Sequence, residues 1–195
     1  MPLPLIVENL IPKGYQDQLE EDITQVGFPW MYVEDVTYNG YGNNSGLVHS
    51  AFDFGRPPGE YLAFIKPLIY SLEQAVGNKI EKLLRIRIGF LTPRTDAGYE
   101  HNAPHVDFLY PHYTACYYIN DSDGDTVMFD QVISDMGVDI NDRVLLNFTQ
   151  TTSFTEAARC SPRKGTAFIM DGRHFHASTN PKINKRRLVA TVNWI

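Results

Sequence analysis

LLRIRIGFL, residues 83–91, is a run of leucine, isoleucine and phenylalanine at strand length, the composition of a segment buried in a sheet. From Lys82 onward the chain repeats this texture. YTACYYIN (113–120), DTVMFD (125–130), DRVLLNF (142–148), GTAFIM (165–170) and RLVATVNWI (187–195) are short, β-rich and separated by turn residues. Strands at this spacing, following a helical N-terminal region, predict a mainly β fold: a sandwich or jelly-roll barrel with helices packed on one sheet.

Upstream the periodicity is helical. In KGYQDQLEEDITQVG (13–27), Leu19, Ile23 and Val26 make a stripe that closes on Gly27. In PPGEYLAFIKPLIYSLEQAVG (57–77), Leu62, Ile65, Ile69, Leu72 and Val76 make a second, with a kink expected at Pro67 and an end at Gly77. Between them lie a strand-like run, Trp30 to Thr37, and the turn-rich NGYGNNSG (39–46), which reads as a loop or mobile flap. At 195 residues the expectation is one domain, with helices and a variable loop over 1–81 and a β-barrel core over 82–195.

Composition narrows the class. An apolar fraction of 43% with 12% aromatics is that of a globular protein, and no stretch reaches the roughly 18 apolar residues of a membrane span. The N-terminal MPLPLIVENLIPKG lacks the features of a signal peptide, which predicts a cytoplasmic location and reduced thiols at Cys116 and Cys160. A net charge of −6 argues against nucleic acid as a partner. The charge is uneven, however: eight of the 17 basic residues fall between Arg159 and Arg187, beside the single acid Asp171.

The chemistry-bearing stretch is PHVDFLYPHYTACYYINDSDGD, residues 104–125. Residues two apart in extended chain point the same way, so His105 and Asp107 can present an imidazole and a carboxylate to one metal ion. Two histidines and one carboxylate on one face of an octahedron, with three positions open, are the ligand set of non-haem Fe(II) oxygenases. KGTAFIMDGRHFHASTNP supplies His174 and His176 for the third ligand. His176 is preferred because its spacing to a downstream arginine fits a cosubstrate site, and His174 becomes a neighbour. In the last strand, alternation places Arg187, Val189, Thr191 and Asn193 on a mixed face and Arg186, Leu188, Ala190, Val192 and Trp194 on one that is apolar beyond its arginine. Arg187 therefore points into the barrel, where its planar fork can hold a carboxylate. Thr114, Cys116 and Tyr118 share a face in the same way, and the Tyr118 hydroxyl can donate to that carboxylate. Tyr99, Tyr110, His112 and Tyr113 flank the metal pair as candidate substrate contacts.

The ordered set His105-x-Asp107, TACYYIND, DGDTVMFD, PRKGTAFIMDG, His176 and Arg187-x-x-x-Thr191 resembles the 2-oxoglutarate- and Fe(II)-dependent oxygenases. It is most similar to the prolyl-4-hydroxylase-like enzymes, including small single-domain members found in tailed viruses of marine bacteria, for which the location would be host cytoplasm. The resemblance spans roughly Lys82 to Ile195. It implies a double-stranded β-helix and iron held by His105, Asp107 and His176. It further implies 2-oxoglutarate held by Arg187 and Tyr118, with Thr191 and Thr114 beside it, and ascorbate as a further cofactor. The implied reaction consumes dioxygen and hydroxylates an unactivated C–H bond, a peptidyl proline in a peptide or protein, releasing succinate and carbon dioxide. Other prime substrates stay open: a free amino acid, a sugar or a nucleic-acid base. So do a cupin-type metalloenzyme and a non-enzymatic jelly-roll module. DGD (123–125) stands where many relatives carry GG; it reads as a hairpin turn, since the spacing of an EF-hand calcium loop is not met.

Overall fold

The computed structural model describes residues 3–37, 44–94, 100–136 and 142–195. Among the described residues ten strands form two antiparallel sheets. They are β1 (Leu5–Val7), β2 (Met31–Val33), β3 (Gly46–Asp53), β4 (Leu83–Leu91), β5 (Tyr113–Tyr118), β6 (Thr126–Val132), β7 (Glu156–Cys160), β8 (Ala167–Asp171), β9 (His174–Ser178) and β10 (Arg187–Trp194). The larger sheet has the order β1-β8-β5-β10-β4-β3-β2, the smaller β7-β6-β9. This is the expected jelly-roll arrangement of a mainly β chain, with residues before Lys82 supplying three strands of the larger sheet.

Alternation along the strands sorts the core into layers. Helices α1 (Lys13–Thr24) and α2 (Leu62–Val76) lie on the outer face of the large sheet, where Leu19, Ile23, Ile65, Leu68 and Leu72 pack against Ile86, Ala115, Ile169, Leu188, Ala190 and Val192. Each such fully buried leucine or isoleucine is worth about 1.5–3 kcal/mol relative to exposure. The inner face joins the two sheets through Cys116, Tyr118, Phe168, Met170 and Val189 against Met128 and Cys160. Val127, Phe129, Phe175 and Ala177 form the outer face of the small sheet. Among the described residues no helix is long and apolar enough to cross a membrane.

Several local expectations are corrected. DRVLLNF is not a strand: Asp142–Thr151 forms helix α3. A short apolar run does not by itself distinguish the two periods, and here Leu145 and Phe148, one helical turn apart, cover the outer face of the small sheet while Leu146 is exposed. Helix α1 stops at Thr24, so Val26 is fully exposed and buried Gln16 joins Leu19 and Ile23 instead. In α2, which continues through Pro67, the buried stripe is Ile65, Leu68 and Leu72, and the helix ends on Gly77, whose N–H donates to the Glu73 carbonyl. The run from Trp30 shortens to β2. Of the expected flap, residues 39–43 lie outside the described residues, whereas Gly46 opens β3, paired to both β2 and β4. The DGD segment is not a hairpin turn, because β5 and β6 belong to different sheets; it is the crossing between them.

Candidate metal and anion site

Register builds the site. Strand β10 runs between β4 and β5, aligning Asn193 with Arg85 and Thr114, and Thr191 with Arg87 and Cys116. Because Ile86 and Ile88 of β4 are buried under the helices, Arg85 and Arg87 must face the space between the sheets. There they line a cavity of about 80 Å³ together with His105, Asp107, His176, Arg187 and Thr191.

His105 and His176 are fixed to one another by main chain. Each donates its backbone N–H to the other's carbonyl, both at 2.9 Å, an isolated antiparallel bridge between the 100–107 segment and β9. Asn102 anchors that segment: its buried amide donates to Ser178 Oγ and Asn180 Oδ1, both at 2.9 Å, and its N–H to the Ser178 carbonyl. One ligand atom from each of His105, Asp107 and His176 lies within 4.8 Å of the other two, the geometry of donors around a common ion. Among the described residues it is the one such cluster of histidine, cysteine or acidic side chains. Two imidazoles and a carboxylate suit a first-row divalent metal that accepts nitrogen and oxygen donors.

Asp107 is held from its far side. Arg85 Nη2 donates to Oδ1, Asn193 Nδ2 donates to Oδ2 at 2.8 Å, and Oδ2 lies 3.7 Å from His176 Nε2. Asn193, itself fully buried, also accepts from Arg85 Nε at 3.2 Å and donates to Thr114 Oγ1 at 2.9 Å. Burial by itself would raise the Asp107 carboxyl, but the charges of Arg85, His176 and His105 and the Asn193 hydrogen bond hold it well below the usual carboxylate range. The group is an anion ready for a cation. Burial, and next the neighbouring His176, push His105 down to about 4, so His105 is a neutral imidazole with a lone pair to offer at neutral pH.

Burial also lowers His112. In both histidines the folded value lies below the unfolded one, so as the pH falls below 6.5 the unfolded chain takes up protons that the folded chain refuses. The His105 contribution to stability is whole above 6.5 and is lost as the pH falls from there to about 4. For the metal-free protein we expect His105 alone to remove about 2 kcal/mol between pH 7 and pH 5, read as a lower urea midpoint. His105→Asn should flatten that dependence by a similar amount; an unchanged pH dependence in the variant would contradict the assignment.

At the other end of the cavity sits Arg187, 6% exposed. Its Nε donates to the Gly124 carbonyl at 2.6 Å and its Nη2 to Thr126 Oγ1 at 2.7 Å. Among the described residues no carboxylate pairs with it. The DGD segment makes this geometry. Asp123 accepts the backbone N–H groups of Lys182, Ile183 and Asn184, and Asp125 accepts from Arg159 Nη1 and Ser161 Oγ. Gly124 lies so close that a Cβ there would stand 2.9 Å from Arg187 Cδ and 2.7 Å from the Thr179 carbonyl oxygen.

The remaining candidates are placed as follows. Thr191 and Cys116 line the cavity, and Thr114 lies on the Asp107 side, 3.5 Å from Oδ2. The Tyr118 ring is 6.0 Å from the Arg187 guanidinium, while its hydroxyl donates to the Cys160 carbonyl at 3.3 Å. His174 donates from Nδ1 to the Phe129 carbonyl, 2.8 Å away, outside the metal cluster. His112 is buried against Gly172, its Nδ1 at the Tyr110 carbonyl. Tyr110 and Tyr113 are exposed, Tyr113 stacked on Trp194, and Tyr99 lies outside the described residues. Arg85, Arg87, Asn102 and Thr126 carry no role in the sequence reading above. Two arginines spaced by two within an otherwise apolar strand were the available signal for the first pair.

No family model matches the chain, and no curated protein matches its sequence. Its fold is that of several solved structures. The non-haem alpha-ketoglutarate-dependent epimerase SnoN from nogalamycin biosynthesis aligns with a TM-score of 0.61 at 13% identity, over 98% of this chain and 76% of SnoN. A 2OG-Fe(II) oxygenase-family oxidoreductase from Burkholderia pseudomallei aligns with a TM-score of 0.61 at 12% identity, over 97% of this chain and 84% of its own. A Pseudomonas putida prolyl-4-hydroxylase aligns with a TM-score of 0.52 at 14% identity, over 97% and 90%. At these identities the likeness is one of fold.

Proposed function

We propose that the chain is a 2-oxoglutarate- and Fe(II)-dependent oxygenase, and that it hydroxylates a prolyl residue of a peptide. The observation that carries the first part is a buried guanidinium that no carboxylate among the described residues pairs with, in one cavity with a His, Asp, His cluster. An uncompensated buried cation costs several kcal/mol unless a ligand supplies the opposite charge. A dicarboxylic acid that chelates a metal at one end and meets Arg187 at the other supplies it. His105, Asp107 and His176 would hold iron, and Arg187 the distal carboxylate. When bound, the metal and 2-oxoglutarate supply oxygen activation and the decarboxylation that yields succinate.

The protein's share is orientation. Main-chain pairing sets the separation of the two imidazoles, Gly124 and Thr126 aim the guanidinium, and the apolar walls Val48, Leu91 and Val189 limit water at the cavity. Proline as the prime substrate is supported by fold neighbours that include prolyl hydroxylases, one of them solved with a peptide of hypoxia inducible factor. Neighbours of other activity, the epimerase and a carbocyclase, make substrate the first thing to test.

Anaerobic addition of Fe(II) and 2-oxoglutarate should produce a weak visible charge-transfer band. Admitting air with proline-containing peptides should release succinate in step with peptide hydroxylation. Absence of both band and succinate rejects the oxygenase; succinate without peptide oxidation rejects proline alone.

A further inference from the structure

We infer that Arg85 is a positioning residue that keeps Asp107 a one-oxygen ligand and thereby keeps a coordination position open on the metal. The inference rests on the metal site proposed above. Its ground is the division of labour between the two carboxylate oxygens. Oδ1 is taken by the Arg85 guanidinium; Oδ2 is the oxygen that stands 3.7 Å from His176 Nε2. A cation approaching Oδ1 meets a fixed positive charge, whereas one approaching Oδ2 meets two imidazoles and the neutral amide of Asn193.

Arg85 cannot easily leave. Its side chain is only 17% exposed, its Nε is bound to Asn193, and its guanidinium lies 5.2 Å from the centre of the Phe108 ring. The register of β4, β10 and β5 places Arg85, Asn193 and Thr114 in one row across the sheet, so the clamp is part of the strand pairing. A carboxylate free to bind through both oxygens would occupy two positions on a six-coordinate ion and leave two rather than three. Two suffice for a chelating cosubstrate and leave no place for dioxygen.

The test uses Mn(II) and the full chain. Arg85→Met keeps the side-chain stem against Phe108 and removes the charge. Water-proton relaxivity per bound Mn(II), measured without 2-oxoglutarate, should fall by about a third in the variant, as three exchangeable waters become two. Equal relaxivity in wild type and variant would overturn the inference while leaving the metal site standing. Failure of the wild type to bind Mn(II) would remove both. A crystal structure of the wild-type Mn(II) form gives an answer even if the variant does not fold. It should show the metal on Oδ2 with Arg85 still on Oδ1, and a carboxylate bound through both oxygens would refute the assignment.

Discussion

Asp107→Ala should bind neither Fe(II) nor Mn(II) measurably and should release succinate at least about a hundredfold more slowly than wild type. Loss of groups that merely support a metal ligand typically costs about 10–100-fold, and removal of a ligand itself exceeds that. The substitution does a second kind of damage. Arg85, 17% exposed at its side chain, would be left without its anion, and stranding one member of a buried ion pair costs about 3–5 kcal/mol. Calorimetric titration with metal and urea unfolding of the metal-free protein separate the two losses. Wild-type metal affinity in Asp107→Ala would exclude Asp107 from the coordination sphere.

Arg187→Met carries the second large effect, and here stability and ligand affinity should move in opposite directions. Deleting one partner of a buried, hydrogen-bonded charge pair costs about 2–5 kcal/mol of binding, which places the loss of 2-oxoglutarate affinity at roughly 30-fold to several thousandfold. Without the ligand the same residue is a buried cation that no carboxylate among the described residues pairs with directly, and replacing it with an apolar side chain of similar volume should leave the urea midpoint unchanged or raise it. Gly124 and Thr126 lose a donor, which tempers the gain. Metal affinity should stay close to wild type, since Arg187 is not in the His, Asp, His cluster. Unaltered 2-oxoglutarate binding by Arg187→Met would dismiss it as the anchor.

The two ends of the cavity differ in how visible they are along the chain. β10 is transparent because one face is apolar throughout and the other mixed, so alternation alone turns Arg187 inward. The histidine and aspartate spaced by two, and the later histidine, are visible for the same reason. Arg85 and Arg87 obey that rule as well, yet in LLRIRIGFL the surrounding leucines and isoleucines give a strand without indicating which face is wet; that depends on where the helices pack. DRVLLNF has too short an apolar run for its period to be decided before Phe129 and Phe175 are in place to receive Leu145 and Phe148. The DGD segment looks like a hairpin locally, and only the sheet assignment of its flanking strands makes it a crossing.

The reciprocal main-chain bridge between His105 and His176 means that capture of an ion requires little conformational ordering of the backbone. Metal uptake then acts as mass action on an already assembled receptor, adding about 2.7 kcal/mol of folding free energy at a free concentration one hundred times the dissociation constant. Melting temperature should accordingly climb with the logarithm of the metal supplied, from a metal-free protein that is itself cooperatively folded.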